Sequence, residues 1–223
     1  MAVRDNFNQL ADQVIAERRW SEARELLENA LADMPPKWKA AQEDGDFLKI
    51  AFWDESEFFA YVQHGQAEKS IKWIAGSYSK AWYQLATIAV EEQRFDSALI
   101  CIESGLAVEL DHPELWSEKG YILGRLQRHQ EALDCYRRAA TSRDWAPSSQ
   151  VARALRGQGA ALVDLERLDE AEALFLRSLE LAPDSKVAKH ELDYIKQLRN
   201  KRAEGKPMHL GSSIHLPTRR RIP

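Results

Sequence analysis

A spacing of 34 residues constrains this chain more than any other feature of its sequence. Residues 79–112 read SKAWYQLATIAVEEQRFDSALICIESGLAVELDH, and residues 113–146 read PELWSEKGYILGRLQRHQEALDCYRRAATSRDWA. Aligned without a gap, Trp82 falls on Trp116, Ala98 on Ala132 and Leu99 on Leu133. Residues 152–185 supply a third unit with Gly159, Ala171, Phe175 and Pro183, and residues 4–37 a fourth with Phe7, Leu10, Trp20, Ala23, Ala30 and Pro35. A repeat of this length implies one supersecondary unit used several times, because a single unit cannot bury its own apolar face.

Each unit holds two stretches of about a dozen residues with the apolar periodicity of an amphipathic helix. Small residues recur where antiparallel helices must approach closely: Ala23, Ala98, Ala132 and Ala171, then Ala30, Gly105, Ala139 and Ser178. Large residues at the fourth position fill the space between neighbouring units. Pro35 and Pro183 stop the second helix, since proline cannot continue it. The expected fold is therefore all-α, a stack of helical hairpins.

These units resemble the tetratricopeptide repeat. That family places an aromatic at position 4, Leu-Gly near 7–8, alanine at 20, an aromatic at 24, alanine at 27 and proline at 32. Trp116, Gly120, Ala132, Tyr136 and Ala139 match in one unit, and Gly159, Ala171, Phe175 and Pro183 in another. The resemblance implies a right-handed α-solenoid of about four such hairpins, with a capping helix and one aromatic-rich insertion. It covers units 1–37 and 79–185. Residues 186–202 (KVAKHELDYIKQLRNKR) continue as a charged amphipathic helix of the kind that caps a solenoid, and 203–223 read as a basic flexible tail.

Residues 38–78 depart from the pattern and hold nine of the chain's twenty aromatics. Within them KWKAAQEDGDFLKIAFW suggests a β-hairpin turning at Asp-Gly, and DESEFFAYVQHG a short capped helix ending at Gly65. An insertion is the preferred reading and one degenerate repeat the alternative. Five extra residues after the 113–146 unit form a loop expected to expose Trp145.

The net charge of −4 conceals two unlike parts. Residues 196–223 carry eight Lys/Arg and one acid, or +7, so residues 1–195 hold 23 bases against 34 acids, or −11. So few cations on an acidic body make nucleic-acid contact through Arg219–Arg221 weak and salt-sensitive, and that reading is disfavoured; the tail folding back on Glu114 and Glu118 is another. No apolar stretch is long enough to span a bilayer, the first residues lack a secretory h-region, and a cytoplasmic protein is expected. Cys101 and Cys135, 34 apart on neighbouring second helices, are expected to be small buried thiols, because packed helices sit beyond disulfide reach.

No catalytic, metal or cofactor constellation stands out. GQG (157–159) lies inside a helix, whereas a phosphate loop follows a strand, and the six histidines are scattered. What the resemblance implies is a non-enzymatic scaffold that binds a protein or peptide segment in the concave groove lined by first helices. Its lining positions fall on Lys80, Tyr83 and Gln84, on Glu118 and Tyr121, and on Arg153 and Arg156, with Asp5, Asn8, Gln9 and Asp12 in the first unit. Tyrosine and arginine dominate binding energy at interfaces, and Arg153 with Arg156 suits a carboxylate. One branch of the family grips acidic chaperone tails through Lys at position 5 and Asn at 9 of a single unit; no unit here has that pair. The alternative is that 38–78 form the partner-binding or self-association surface. Whether the chain is a monomer or homodimer stays open.

Overall fold

The computed structural model describes residues 6–65 and 69–204. Asp5, the basic run Arg219–Arg221, His209 and His215 lie outside the described residues. Among the described residues, ten helices and three short strands follow one another in the order α1 (Phe7–Ala16), α2 (Trp20–Ala32), β1 (Ala41–Asp44), β2 (Phe47–Ile50), α3 (Glu55–Gln63), β3 (Ser70–Trp73), α4 (Tyr78–Glu91), α5 (Phe95–Val108), α6 (Pro113–Arg125), α7 (His129–Thr141), α8 (Ser148–Asp164), α9 (Leu168–Leu181) and α10 (Lys186–Ala203). The fold is an all-α helical repeat with a small sheet inserted after the first hairpin. It divides into two compact units: residues to Leu115 with Trp145–Pro147, and Trp116–Asp144 with the residues from Ser148 onward.

The same junction joins first helix to second in all four repeats. Arg18, Gln93, Gln127 and Glu166 each adopt positive φ, between 59° and 61°. All four stand at position 15 of their 34-residue unit. A left-handed residue there lets the next N–H turn back to the helix it leaves: Arg19 to the Val14 carbonyl at 3.1 Å, Arg94 to Ala89 at 2.8 Å, Arg128 to Leu123 at 2.9 Å and Arg167 to Leu162 at 2.8 Å. This is the Schellman closure, which satisfies orphan carbonyls at a helix end. Position 16 is arginine in every repeat and is also the N-cap of the second helix, though its side chain makes no cap bond. That side chain instead pairs with a nearby glutamate: Arg128 with Glu131 at 2.6 Å, Arg167 with Glu170 at 2.7 Å, Arg19 with Glu17 at 2.7 Å, and Arg94 with Glu92.

The repeat core follows the small-residue positions. Ala23, Ala98, Ala132 and Ala171 are all fully buried, and so are Leu27, Ile102 and Phe175 at position 24. In the second unit Tyr136 takes that position and its ring lies between two glycines: a Cβ added at Gly120 would meet it at 2.9 Å, and one at Gly157 at 2.2 Å. Gly159 stands in the same relation to Phe175, at 2.8 Å. The GQG tripeptide is thus a packing device inside α8. Burial pushes the Tyr136 hydroxyl far above its ordinary range, and the Cys135 thiol up to about 11. Both cysteines are free thiols; Cys101, expected buried, is only half-buried and lines a cleft of about 550 Å³ with Trp82, Leu31, Arg24 and Arg94.

The hairpin expected in the inserted stretch forms, but turns one residue later than anticipated. β1 and β2 pair antiparallel with Asp44 opposite Phe47, so Gly45 and Asp46 are the two central residues. Gly45 has φ +58° and Asp46 does not share the positive sign, which is the pattern of a turn with glycine at its first central position. α3 is capped by Asp54, whose side chain accepts from the Glu57 N–H at 3.1 Å, and Gly65 follows it with φ +74°. β3 was not anticipated: it pairs parallel to β2, Phe47 opposite Ser70 through Ile50 opposite Trp73. The sheet order is β1-β2-β3, with α3 in the crossover that a parallel pair requires.

Candidate functional site

In the first unit, the lining positions on α1 and α4 are spent on the chain itself. Asn8 is buried and uses its whole amide: Nδ2 donates to Gln84 Oε1 at 2.8 Å and to the Ser77 carbonyl at 3.1 Å, while Oδ1 accepts from the Ser77 N–H at 2.7 Å. Gln84, only 2% exposed, returns bonds to the Asn8 carbonyl at 2.8 Å and Asp12 Oδ1 at 2.7 Å. Gln84 thereby joins α1 to α4 instead of facing open solvent. A buried amide pair of this kind is strongly held, since unmaking it strands polar atoms away from water.

Lys80 and Tyr83 meet the inserted stretch. The Lys80 ammonium lies 3.0 Å from Asp12 Oδ2 and donates to the Trp53 carbonyl at 3.2 Å. The Trp53 ring packs on Tyr83 with centroids 5.0 Å apart and stacks on His112 at 3.6 Å. Its indole N–H donates to Ser79 Oγ at 3.2 Å, and Ser79 donates in turn to Glu109. Glu57, 1% exposed, accepts the Trp53 N–H at 2.9 Å and sets its other oxygen 2.9 Å from His112 Nε2. Tyr83 is consequently covered.

Phe52, beside Trp53, turns the other way. It lies at the centre of an aromatic cluster with Phe58, Tyr61, Trp73 and Trp145, centroids 5.6 to 6.1 Å away. Trp145 therefore is not the free loop side chain expected from the sequence; it packs edge-on against Phe52 and Tyr61. Phe59 is 56% exposed and Phe47 48%, with Val62 at 47%, and Trp73, though part of the cluster, still reaches solvent at 38%.

In the second unit the lining positions carry charge. Arg153 donates to Glu118 Oε2 at 2.9 Å; Glu118 is buried and Arg153 partly exposed. One turn along α6 stands Tyr121, whose hydroxyl accepts from Arg125 at 3.0 Å, with the Arg125 guanidinium near its ring. Arg156 is half-buried on α8, one turn from Arg153. The guanidinium of Arg153, expected to be available for a partner's carboxylate, already holds an internal one. Behind this face, Glu191 of α10 is buried, and burial lifts its carboxyl above the usual range, with the His190 charge opposing and Asp164 adding to the rise. No three metal-ligating side chains converge among the described residues, and no helix among them is long and apolar enough to cross a membrane.

The paired helices, their shared junction and their fixed small-residue contacts make this chain an α-helical repeat protein. Residues 111–184 match the family model of the tetratricopeptide repeat, and the chain carries that repeat. Among solved structures, the first tetratricopeptide domain of human RPAP3 is 25% identical, covering 56% of this chain and 95% of that one at TM-score 0.51. The first such domain of Spaghetti (RPAP3), bound to the HSP90 peptide SRMEEVD, is 24% identical over 55% of this chain and 93% of its own, TM-score 0.50. MamA (residues 41 to the end) from Desulfovibrio magneticus RS-1 is only 13% identical but covers 89% of this chain and 86% of its own, TM-score 0.56. No curated protein matches the chain by sequence.

The shared arginine junction was missed in reading the sequence, although RRWSEA, QRFDSA, QRHQEA and ERLDEA print it at one position in each unit.

Proposed function

We propose that the chain is a non-enzymatic cytoplasmic scaffold that holds a partner's peptide segment on the first-helix faces of its repeats, without cofactor or metal. Tetratricopeptide repeats are generally protein-interaction repeats, and one structural neighbour is described with a peptide bound. The observation that carries the reading is the α6–α8 face of the second unit, where Glu118, Tyr121, Arg125, Arg153 and Arg156 present paired charge beside an aromatic ring. Rigid, prepaired side chains lower the ordering cost of capture. Lys80, Tyr83 and Gln84 are the corresponding proposal on the first unit. An acidic chaperone tail is not the ligand proposed, because the Lys-Asn pair that would hold it is missing. Affinity capture from the source cell tests the reading. Arg153→Glu/Arg156→Glu and Tyr121→Ala/Arg125→Ala variants, each checked for native circular dichroism, should lose the proteins the parent chain retains. Capture of the same set by all three sinks it.

The exposure of Phe47, Phe59, Val62 and Trp73 favours a second reading, in which the inserted stretch is the partner-binding or self-association surface. Light scattering on the parent and on Phe59→Ser/Val62→Ser separates the two. A parent dimer that becomes a monomer in the variant supports the second reading; a parent monomer removes self-association.

A further inference from the structure

We propose that α10 is a pH-sensitive cap, closed on α8 while the clustered side chains of His129, Asp164 and Glu191 sum to no charge, and loosened when, at higher pH, they sum to two negative charges. The device lies wholly in the second unit and is independent of peptide capture on the α6–α8 face.

Three elements bring these groups together. His129 opens α7, Asp164 ends α8, and Glu191 stands in the first half of α10, which packs on both α8 and α9. His129 Nδ1 lies 3.3 Å from Asp164 Oδ2, and the Asp164 side chain is 3% exposed. The other ring nitrogen, Nε2, lies 3.2 Å from Gln127 Oε1. Both nitrogens thus face oxygens, which suits the imidazolium, a donor at each. Glu191 is 4% exposed, and its Oε2 is buried without a hydrogen bond among the described residues. Burial is the main cause that lifts the Glu191 carboxyl above the usual range; the Asp164 charge adds to the rise, and His190, 3.7 Å away and largely in solvent, opposes it.

At low pH the imidazolium offsets Asp164 and Glu191 keeps its proton, so the cluster is neutral. Histidine changes charge within the physiological range, and a carboxyl lifted by burial ionises later than one in water. Once both have lost a proton, two carboxylates meet largely out of water, an arrangement that burial and like charge both disfavour. Closed α10 therefore binds the Glu191 proton more tightly than opened α10 does. Its hold is complete at low pH and is lost as pH rises through the closed-state pKa. From α9, Asp169 and Glu172 also face α10, but they pair with Arg199 near its far end, at 2.5 and 2.8 Å. A guanidinium keeps its charge throughout, so that end stays attached while the end carrying Glu191 responds. Terminal segments of this kind open locally, at lower free energy than the whole fold.

The test is hydrogen exchange on the full chain at about pH 5 and about pH 8, corrected for intrinsic rates, with α9 as internal reference. Amides of Lys189–Leu192 should lose protection relative to α9 on the order of tenfold at the higher pH. Glu191→Gln keeps the shape of the side chain and cannot ionise, so it should hold the low-pH protection at both. Asp164→Asn should shrink the response. The parent chain decides the matter without any variant: if α10 and α9 change together, α10 opens only with the global fold and the proposal is overturned. A folded Glu191→Gln that keeps the parent's pH response overturns it too, by assigning the response to another group. An undiminished response in Asp164→Asn means that the carboxylates do not act on each other, and has the same result.

Discussion

The two units put different chemistry at the same repeat positions. On the first, an uncharged amide exchange between Asn8 and Gln84 locks α1 to α4, and Trp53 lies over Tyr83. On the second, the equivalent face carries the Glu118–Arg153 pair and the Tyr121–Arg125 contact, partly in solvent. A repeat fixes where a side chain projects; it does not fix whether that side chain meets water, a neighbour or an insertion. The family pattern implies which positions would line a groove and says nothing of who already occupies them.

Substitutions can break this contrast from either side. The largest effect is expected at Gly157→Ala, where the added Cβ stands 2.2 Å from a buried ring; overpacking of this kind costs about 3 kcal/mol. Urea unfolding should show the second unit losing that stability, and an unchanged midpoint would mean that Tyr136 has room to move. Asn8→Ala in the first unit removes one partner from each of several buried bonds, with an expected loss of about 2 kcal/mol in the same measurement. A loss below a few tenths would show that the amide exchange is not what joins α1 to α4.

Smaller changes sharpen what the units share. Gln127→Gly relieves a left-handed backbone at the cost of one exposed contact to His129 and should stabilise by up to about 1 kcal/mol; a lower Tm in thermal unfolding would contradict the strain. The smallest effect is a pH slope. The folded pKa of Glu191 is raised by burial, so the folded state binds its proton more tightly than the unfolded chain does. Stability is then greatest at low pH on this account and falls as pH rises through the folded pKa. Glu191→Gln should flatten that part of the urea midpoint-versus-pH curve between pH 4 and 8 and raise the midpoint at its upper end.

How much of this could be read from the chain depends on how local each feature is. The period of 34, the close-packed alanines and the helical setting of Gly157 and Gly159 follow from neighbours in sequence and were legible. α3 was legible for the same reason, since Asp54 and Gly65 mark its ends within a dozen residues. β3 was not: SIKW is four residues long, and its parallel register comes from a crossover of some twenty residues. Trp145 looked free because its partners, Phe52 and Tyr61, lie more than eighty residues earlier. Gln84 carries no sign that its amide faces Asn8, 76 residues away. The proposed lining residues could thus be named from the sequence, whereas the side chains that hold them could not.

The arginine junction has a consequence for how the chain assembles. Each hairpin closes across three residues, so its two helices find each other at small loop-closure entropy and on the microsecond scale of local structure. The inserted sheet must instead bring Ile50 to Trp73 before β3 has a partner. Topology of that kind is slower. The four hairpins should therefore stand before Trp53 arrives on α4, so that during every refolding event the inner face of α4 is briefly exposed.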